Sequence, residues 1–395
     1  MSHGPSPIPG RAPSTAFDPV RGFGVYVHWP YCARVCPYCD FNVYAAKSRD
    51  TRPLIEAILA DLGGWRDLTG ERAVDAVFLG GGTPSLLAGA DTARLIERID
   101  ALWGLGAGAE ITLEANPDDS SRFADQRAAG VNRLSLGVQS LRDNQLKFLG
   151  RTHSAAEARA ALERAQSVFA STSLDLIYAL PGQTLGDWRT ELGEALLLGA
   201  DHLSLYELTI EPGAAFARAV KRQDWTPADD DKAADLYELT QDLCDAAGYP
   251  AYEISNHARG VQHQSRHNRI YWRSGDWAAV GPGAHGRLTA DGRRLATEAA
   301  KSPGAYVKLV AEALIGWSDP ETLTLLDQAR ERLSMGLRVI EGIAVADIEA
   351  LGFTIDRARL DELAQLGMLT AEAGRVALTR RGRLAADRVV AMISP

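Results

Sequence analysis

From residue 24 to about residue 210 one unit repeats: an apolar, β-branched run, a Gly-rich or polar turn, then an amphipathic helix. The runs are GVYVHW (24–29), AVDAVFLG (73–80), AEITLEA (109–115), NRLSLGV (132–138), LDLIYAL (174–180) and HLSLYEL (202–208). Between them RPLIEAILADLGGW, DTARLIERIDALW, AAEARAALERAQSVF and TLGDWRTELGEALLLG carry helical spacing. Continuous apolar strands that alternate with helices pair in parallel, with both faces of the sheet covered. Six such units fit a doubly wound sheet or an incomplete (β/α)6 barrel, and periodicity does not choose between them.

The rest of the chain differs in texture. Residues 1–21 are rich in Pro, Gly and Ser and read as a flexible tail without the apolar core of a signal peptide. Residues 22–215 hold the repeating units. Residues 216–315 hold a helix that opens with three Asp residues, then a Gly-, His- and aromatic-rich stretch with little periodicity. From 316 to 395 the reading is helix (321–337), helix, hairpin (369–379), helix, which describes a small winged-helix-like α+β domain. The net charge of −9 argues against a nucleic-acid partner. No apolar run reaches transmembrane length, which leaves room only for peripheral membrane contact, and the expected location is cytoplasmic.

Three of the four cysteines, Cys32, Cys36 and Cys39, form C-x3-C-x2-C directly after the first strand. In a reducing compartment clustered thiols bind metal more often than they form disulfides. Structural zinc wants four ligands; His28 is a candidate fourth, but there is no second cysteine pair. A redox C-x-x-C of Cys36 and Cys39 leaves Cys32 idle. A [4Fe–4S] cluster on three thiolates leaves one iron open to a small molecule. The chain also carries GGGTPS (80–85) after the second strand, without the Lys of a P-loop. Glu114 and Gln139 end the third and fourth strands, and Asp175 lies on the fifth. Each is unremarkable alone. Together they sit at one end of successive strands, where barrel enzymes place their sites.

The order YVHWPYC, GGGTPS, EANP, SLGVQS, GRTH, DLIYALPGQT, HNRIYW resembles radical S-adenosylmethionine (SAM) proteins. Within them it is similar to the oxygen-independent coproporphyrinogen III oxidases and their HemW-type relatives. The resemblance implies a radical SAM partial barrel with a cluster on Cys32, Cys36 and Cys39 and SAM on the open iron. It implies that Tyr26 and Tyr38 contact SAM or the cluster. Gly81, Gly82 and Thr83 would meet the methionyl end of SAM, with Glu114 beside them. Gln139, Arg151 and Asp175 would meet ribose and carboxylate groups, and Thr209 is carried over from the end of the sixth strand.

The oxidase pattern has a further cysteine two residues after the last ligand; this chain has Phe41 there. That departure and the short tail match the HemW group, understood to bind heme and deliver it to acceptor proteins. The H-N-x-x-Y-W motif of that group is matched by His267, Asn268, Tyr271 and Trp272. An imidazole supplies an axial ligand and aromatics shield a porphyrin. The plain alternative for His267 is a histidine packed in a loop. His257, His263 and His285 lie near without a motif, and His153 is expected to pack near Arg151. Cys244 reads as a buried packing residue, and Arg380, Arg381 and Arg383 as part of a domain that covers the barrel or contacts a partner. The resemblance thus implies a heme chaperone using a [4Fe–4S] cluster, SAM and heme, with heme acceptors and an electron donor as partners. Whether it is also an enzyme stays open. Decarboxylation of coproporphyrinogen III is the alternative activity, and a zinc-binding structural module is the other.

Overall fold

The six expected strands form side by side in chain order, and that order settles the architecture. They are β1 (Phe23–Trp29), β2 (Val74–Gly81), β3 (Leu105–Ala115), β4 (Arg133–Gln139), β5 (Ser171–Tyr178) and β6 (His202–Glu207). Each pairs in parallel with the next. A doubly wound sheet reverses its strand order partway, whereas a barrel runs on without reversal. The chain therefore has the incomplete (β/α)6 barrel. It is a computed structural model that describes residues 21–45, 50–290 and 292–394. Nearly all of the tail expected at 1–21 lies outside the described residues.

The alternation of each strand divides its side chains between two environments. Val25, Val27, Val77, Leu79, Leu134, Leu136, Leu174, Leu176 and Leu203 are buried in one core with Leu95, Ile99, Leu162 and Leu192 of the covering helices. Burying each such side chain contributes roughly 1.5–3 kcal/mol. The intervening positions, among them Tyr26, His28, Phe78, Glu114, Ser135 and Asp175, face the other way, into the concave side. The helices Ala155–Val168 and Leu185–Leu197 start where Ser154 and Thr184 form capping boxes with Glu157 and Asp187.

Strands continue past both edges of this parallel set. β7 (Asn256–Ala258) adds antiparallel to β6. On the other edge β8 (Asp276–Val280) adds parallel to β1, followed by antiparallel β9 (His285–Ala290), β10 (Arg293–Glu298) and β11 (Glu321–Leu323). Among the described residues the sheet has 11 strands. β8 is buried along its whole length, so DWAAV carries no alternation from which to infer a strand. Glu321–Leu323 is also a strand and not the start of a helix. Thr324 ends it by closing a capping box with Asp327, and the helix runs Leu325–Gly336.

The C-terminal residues build a second core around Leu333, Ile348, Leu360, Val376 and Val389. Helices Leu325–Gly336 and Arg357–Gln365, the hairpin Leu369–Glu372/Arg375–Leu378 and the helix Ala386–Ile393 give the winged-helix-like unit. Arg380 fastens it to the helix Asp230–Ala246 through Glu238 (2.6 Å) and Asp242 (2.8 Å).

Two buried polar networks hold the added strands in place. In one, Arg72 and Arg294 meet Asp276 of β8 at 3.0 and 3.3 Å, and Glu331 takes Arg294 (3.0 Å) and Arg287 (2.8 Å). In the other, Asp61 accepts the Tyr306 hydroxyl (2.5 Å) and the Gly316 amide (3.0 Å), while Tyr306 accepts the Gly281 amide at 2.9 Å.

Two outcomes are expected. Glu331→Ala leaves the half-buried Arg287 without its carboxylate and the buried Arg294 with Asp276 alone, and should cost about 2 kcal/mol; an unchanged denaturation midpoint would refute that account of the network. Burial pushes the Asp61 carboxyl up to about 7, against the pull of its two donors. Its folded value lies above its unfolded one, so the native state holds the extra proton between the two. Stability is then lost as pH rises through 7. Melting temperature should fall more steeply from pH 5 to pH 8 in the wild type than in Asp61→Asn, and equal slopes would count against it.

Candidate functional site

The cysteine loop leaves β1 and is gripped on both sides. Tyr31–Cys32 pairs with Tyr44–Ala45, and the Tyr44 amide donates to the Pro30 carbonyl at 2.7 Å. The Gly82 and Thr83 amides donate to the Trp29 and Tyr31 carbonyls at 2.7 and 2.9 Å. Gly81 adopts φ +104°, and a Cβ there would lie 2.5 Å from the His28 ring. A Cβ at Gly82 would lie 2.7 Å from the Tyr31 carbonyl oxygen. Only glycine allows strand end and loop to approach this closely.

His28 and Asn42 complete the grip, and neither role was evident in the sequence. His28 Nε2 donates to the Asn42 carbonyl at 3.0 Å, so its Nδ1 accepts the Tyr26 hydroxyl at 2.8 Å. Burial lowers the His28 pKa, in keeping with a neutral ring. With both nitrogens occupied, His28 is not free to serve as a fourth zinc ligand. The Asn42 side-chain amide donates to the Pro282 (2.9 Å) and Lys301 (2.8 Å) carbonyls, joining the loop to the turn after β8. The only sequence signal for that turn was its GPG.

Cys32 is buried, and Cys36 and Cys39 are half-buried across a turn whose Cys39 amide donates to the Cys36 carbonyl at 3.2 Å. Burial raises the Cys32 thiol and pushes Cys39 up to about 11. Their thiolates therefore need a positive charge beside them, which iron supplies. Among the described residues no three His, Cys, Asp or Glu side chains gather closely enough to hold a single metal ion. A mononuclear zinc site requires that convergence; a cubane takes its thiolates at separate corners. The donor set, thiols only, fits the cluster.

Around the loop the structure gathers most of the predicted site residues. Arg151 donates to Cys36 Sγ (3.5 Å), to the Gly137 carbonyl (2.7 Å) and to Asn116 Oδ1. Asn116, missed in the sequence, in turn donates to Thr83 Oγ1 at 3.3 Å. A cleft of about 60 Å³ opens here, lined by Cys36, Thr83, Asn116, Asp118 and Arg151 among others. Tyr38 packs on Phe216, with ring centroids 6.3 Å apart. Glu114 accepts the Gly81 amide at 2.9 Å, and burial pushes its carboxyl up to about 7. Gln139 ends β4 with φ +71° at a register shift against β5. Thr209 lies apart: it is exposed, and its hydroxyl donates to the Glu207 carbonyl.

Asp175 begins a chain of hydrogen bonds that crosses the concave face. It accepts the Ser135 and Ser173 hydroxyls, both at 2.8 Å. Because Ser173 spends its proton on Asp175, it accepts from His202 Nδ1 at 2.8 Å. His202 Nε2 then accepts the Tyr252 hydroxyl (2.9 Å), and Tyr252 accepts the Ser265 amide (3.3 Å). Ser265 caps the helix Arg266–Trp272, which carries the H-N-x-x-Y-W motif.

His267 lies on that helix, 2% exposed, against β2. Its ring stacks on Phe78 (4.6 Å) and meets Tyr271 (4.3 Å) and Tyr26 (6.0 Å). Burial, then Arg133, pushes its pKa down to about 3, so the ring is neutral, and Nδ1 has no partner. Trp272 sits against Arg338, and Asn268 is half-buried. His257 is buried on Gln241; His263 and His285 stand beside Asp201 and Glu298. His153 packs with Nε2 on the Val138 carbonyl, and Cys244 is fully buried. Phe41 is 60% exposed on the cysteine loop.

Comparison with known proteins agrees with this geometry. The profile of the Radical SAM superfamily matches residues 26–192, and that of the HemN C-terminal domain matches residues 323–385. The heme chaperone HemW of Escherichia coli (strain K12) is 38% identical over 91% of this chain and 95% of its own. HemW of Mycobacterium tuberculosis (strain H37Rv) is 37% identical over 98% and 97%. The mitochondrial radical S-adenosyl methionine domain-containing protein 1 of Bos taurus is 40% identical over 81% and 74%. Among solved structures, coproporphyrinogen III oxidase (HemN) from Escherichia coli, described as a radical SAM enzyme, superposes with a TM-score of 0.80. At 23% identity over 96% of this chain and 91% of that one, it shares the fold. With thiols, glycines and strand-end carboxylates placed as above, the chain belongs to the radical SAM superfamily and, within it, to the HemW family.

Proposed function

We propose that this protein is a cytoplasmic heme chaperone that binds heme and hands it to acceptor proteins, with an electron donor serving its cluster. The observation that carries the reading is the nearly end-to-end likeness to chains named heme chaperones. The exposed Phe41, where the oxidase pattern places another cysteine, speaks against porphyrinogen decarboxylation, because a phenyl ring offers neither redox nor ligand chemistry.

As a radical SAM protein the chain binds a [4Fe–4S] cluster and SAM. In our reading Cys32, Cys36 and Cys39 hold the cluster, and its chemistry when bound is electron supply for reductive cleavage of SAM. The residues around it bind and orient. The amides of Gly81, Gly82 and Thr83 are already committed to Glu114 and to the backbone of the cysteine loop. This edge therefore meets an ammonium group through its carbonyl oxygens, with the Glu114 carboxylate close by. Arg151 places a guanidinium between Cys36 and the cleft, suited to a carboxylate. Tyr26, Tyr38, Gln139, Asp175 and Thr209 complete the proposed set.

His267 is the proposed heme ligand. Its neutral imidazole is the ligating form, but Phe78 and Tyr271 cover the ring, so ligation requires the helix Arg266–Trp272 to shift. The test is an anaerobic heme titration of cluster-reconstituted protein, followed by absorbance, with two variants. A saturable Soret shift near one heme per chain is expected in the wild type. In His267→Phe, which keeps the ring packing, it should be lost or altered. Cys36→Ala should lose iron and acid-labile sulfide and still bind heme. No saturable binding by the intact protein sinks the chaperone reading; binding unchanged in His267→Phe removes that ligand alone.

A further inference from the structure

One cavity lies away from the cysteine loop. It opens beside the beginnings of β1 and β2, at the end of the barrel opposite the loop, with a volume of about 220 Å³. Four arginines line it: Arg21, Arg266, Arg269 and Arg273, with Gly22, Asp75 and Ile270. Three of these arginines lie on the helix Arg266–Trp272 or at its C-cap, spaced by three and four residues and so sharing one face. The same helix turns His267 and Ile270 inward, where both are buried.

The cations here are incompletely compensated. Arg269 and Arg273 share one carboxylate, Glu341, at 2.8 and 3.3 Å. Arg21 meets Asp347 at 3.0 Å. Arg266 has no carboxylate on its guanidinium among the described residues; it is exposed, and only its backbone amide reaches Glu110 (3.1 Å). Asp75 spends an oxygen on the Phe23 amide at 2.9 Å. Among the described residues, Arg266, Arg269 and Arg273 thus face two carboxylates, Asp75 and Glu341. Burial first, and then the neighbouring Arg273, lower the Arg269 pKa, while Glu341 raises it. A single added carboxylate balances the group, and the fork of a guanidinium matches its two oxygens.

We infer that this cavity is an oxyanion site that takes a carboxylate of the heme, one of its propionates, on Arg266, Arg269 and Arg273. The inference rests on the heme-chaperone reading and adds to it a docking point on the outer face of the helix that carries His267. It places heme entry at the end of the barrel away from the cluster. The volume admits a carboxylate arm and not a macrocycle, so the ring itself would lie outside. A free phosphate shares the same chemistry, and the test separates the two.

The experiment titrates cluster-reconstituted protein with heme and, separately, with heme dimethyl ester, whose propionates are blocked, and repeats both with Arg266→Ala/Arg273→Ala. Both positions are exposed, so the fold should persist, and iron and sulfide content checks it. The expected result is heme binding weakened roughly tenfold by the double substitution. The ester should bind the wild type that weakly from the start and ignore the substitutions. Heme and ester bound equally well, with the variant indifferent, would overturn the site and leave the chaperone reading standing. No saturable heme binding by the wild type would overturn both. A further arm raises inorganic phosphate alone: thermal stabilisation lost in the variant, with heme affinity unaffected, would assign the cavity to a free oxyanion and overturn the propionate.

Discussion

Everything at the cysteine end depends on how closely two strand ends approach each other. Gly81 lies against the His28 ring, and Gly281 lies against the His28 carbonyl, where a Cβ would come within 2.2 Å of the oxygen. β1 is thus pinched between β2 and β8 at the residue where the loop begins. A side chain at either glycine would have to push β1 aside, and the loop with it. His28 then carries the constraint outward through Asn42, whose amide bridges to the turn after β8. The loop that carries the thiols proposed to hold the cluster is fixed mainly by backbone packing and hydrogen bonds, as a preorganised metal site requires.

This dependence explains why the strand beyond the six repeats matters. β8 closes the free edge of β1 and supplies the turn that takes Asn42. It is held from behind by Asp276 on Arg72 and Arg294, and by Asp61 through Tyr306 on Gly281. Removing two buried cations from water is unfavourable unless the carboxylates are well placed. Here one carboxylate belongs to β8 and the other, Glu331, to the first helix of the C-terminal unit. That unit is therefore tied through ionic contacts to the strand on which the cysteine loop rests.

What could be read from the sequence followed from local rules. The six strands and the main helices announce themselves because apolar alternation and capping residues act over a few positions. The C-x3-C-x2-C spacing is equally local. The rest needed partners far along the chain. DWAAV is uniformly buried, so it has no period, and its parallel neighbour β1 lies some 250 residues earlier. Asn42 looks like any loop residue until Pro282 and Lys301 are beside it. His28 reads as a spare ligand until both ring nitrogens are found occupied. Glu321–Leu323 looked helical because the helix that follows is strong; a strand edge at β10 claimed it. Motif residues were legible as a set, but only the fold shows that Thr209 stands apart and that His267 is covered.

The concave face links the two ends of the barrel in a way that neither end alone would reveal. The protons from Ser265 to Asp175 all point the same way, since each hydroxyl and imidazole has one to give and Asp175 only accepts. A ligand that took the place of Ser173 at Asp175 would free the Ser173 proton for His202 Nδ1 and switch the His202 tautomer, while the Ser265 amide, which can only donate, stays on Tyr252. The last member, Ser265, caps the helix that buries His267 on one face and lines the arginine cavity with the other. That helix has only seven residues, and its first turn depends on the Ser265 cap and on Glu110, which takes three donors there at 3.1–3.4 Å. A short helix with its cap wired to the far side of the barrel is the element whose displacement would uncover His267, and its outer arginines are the part of it that solvent already reaches.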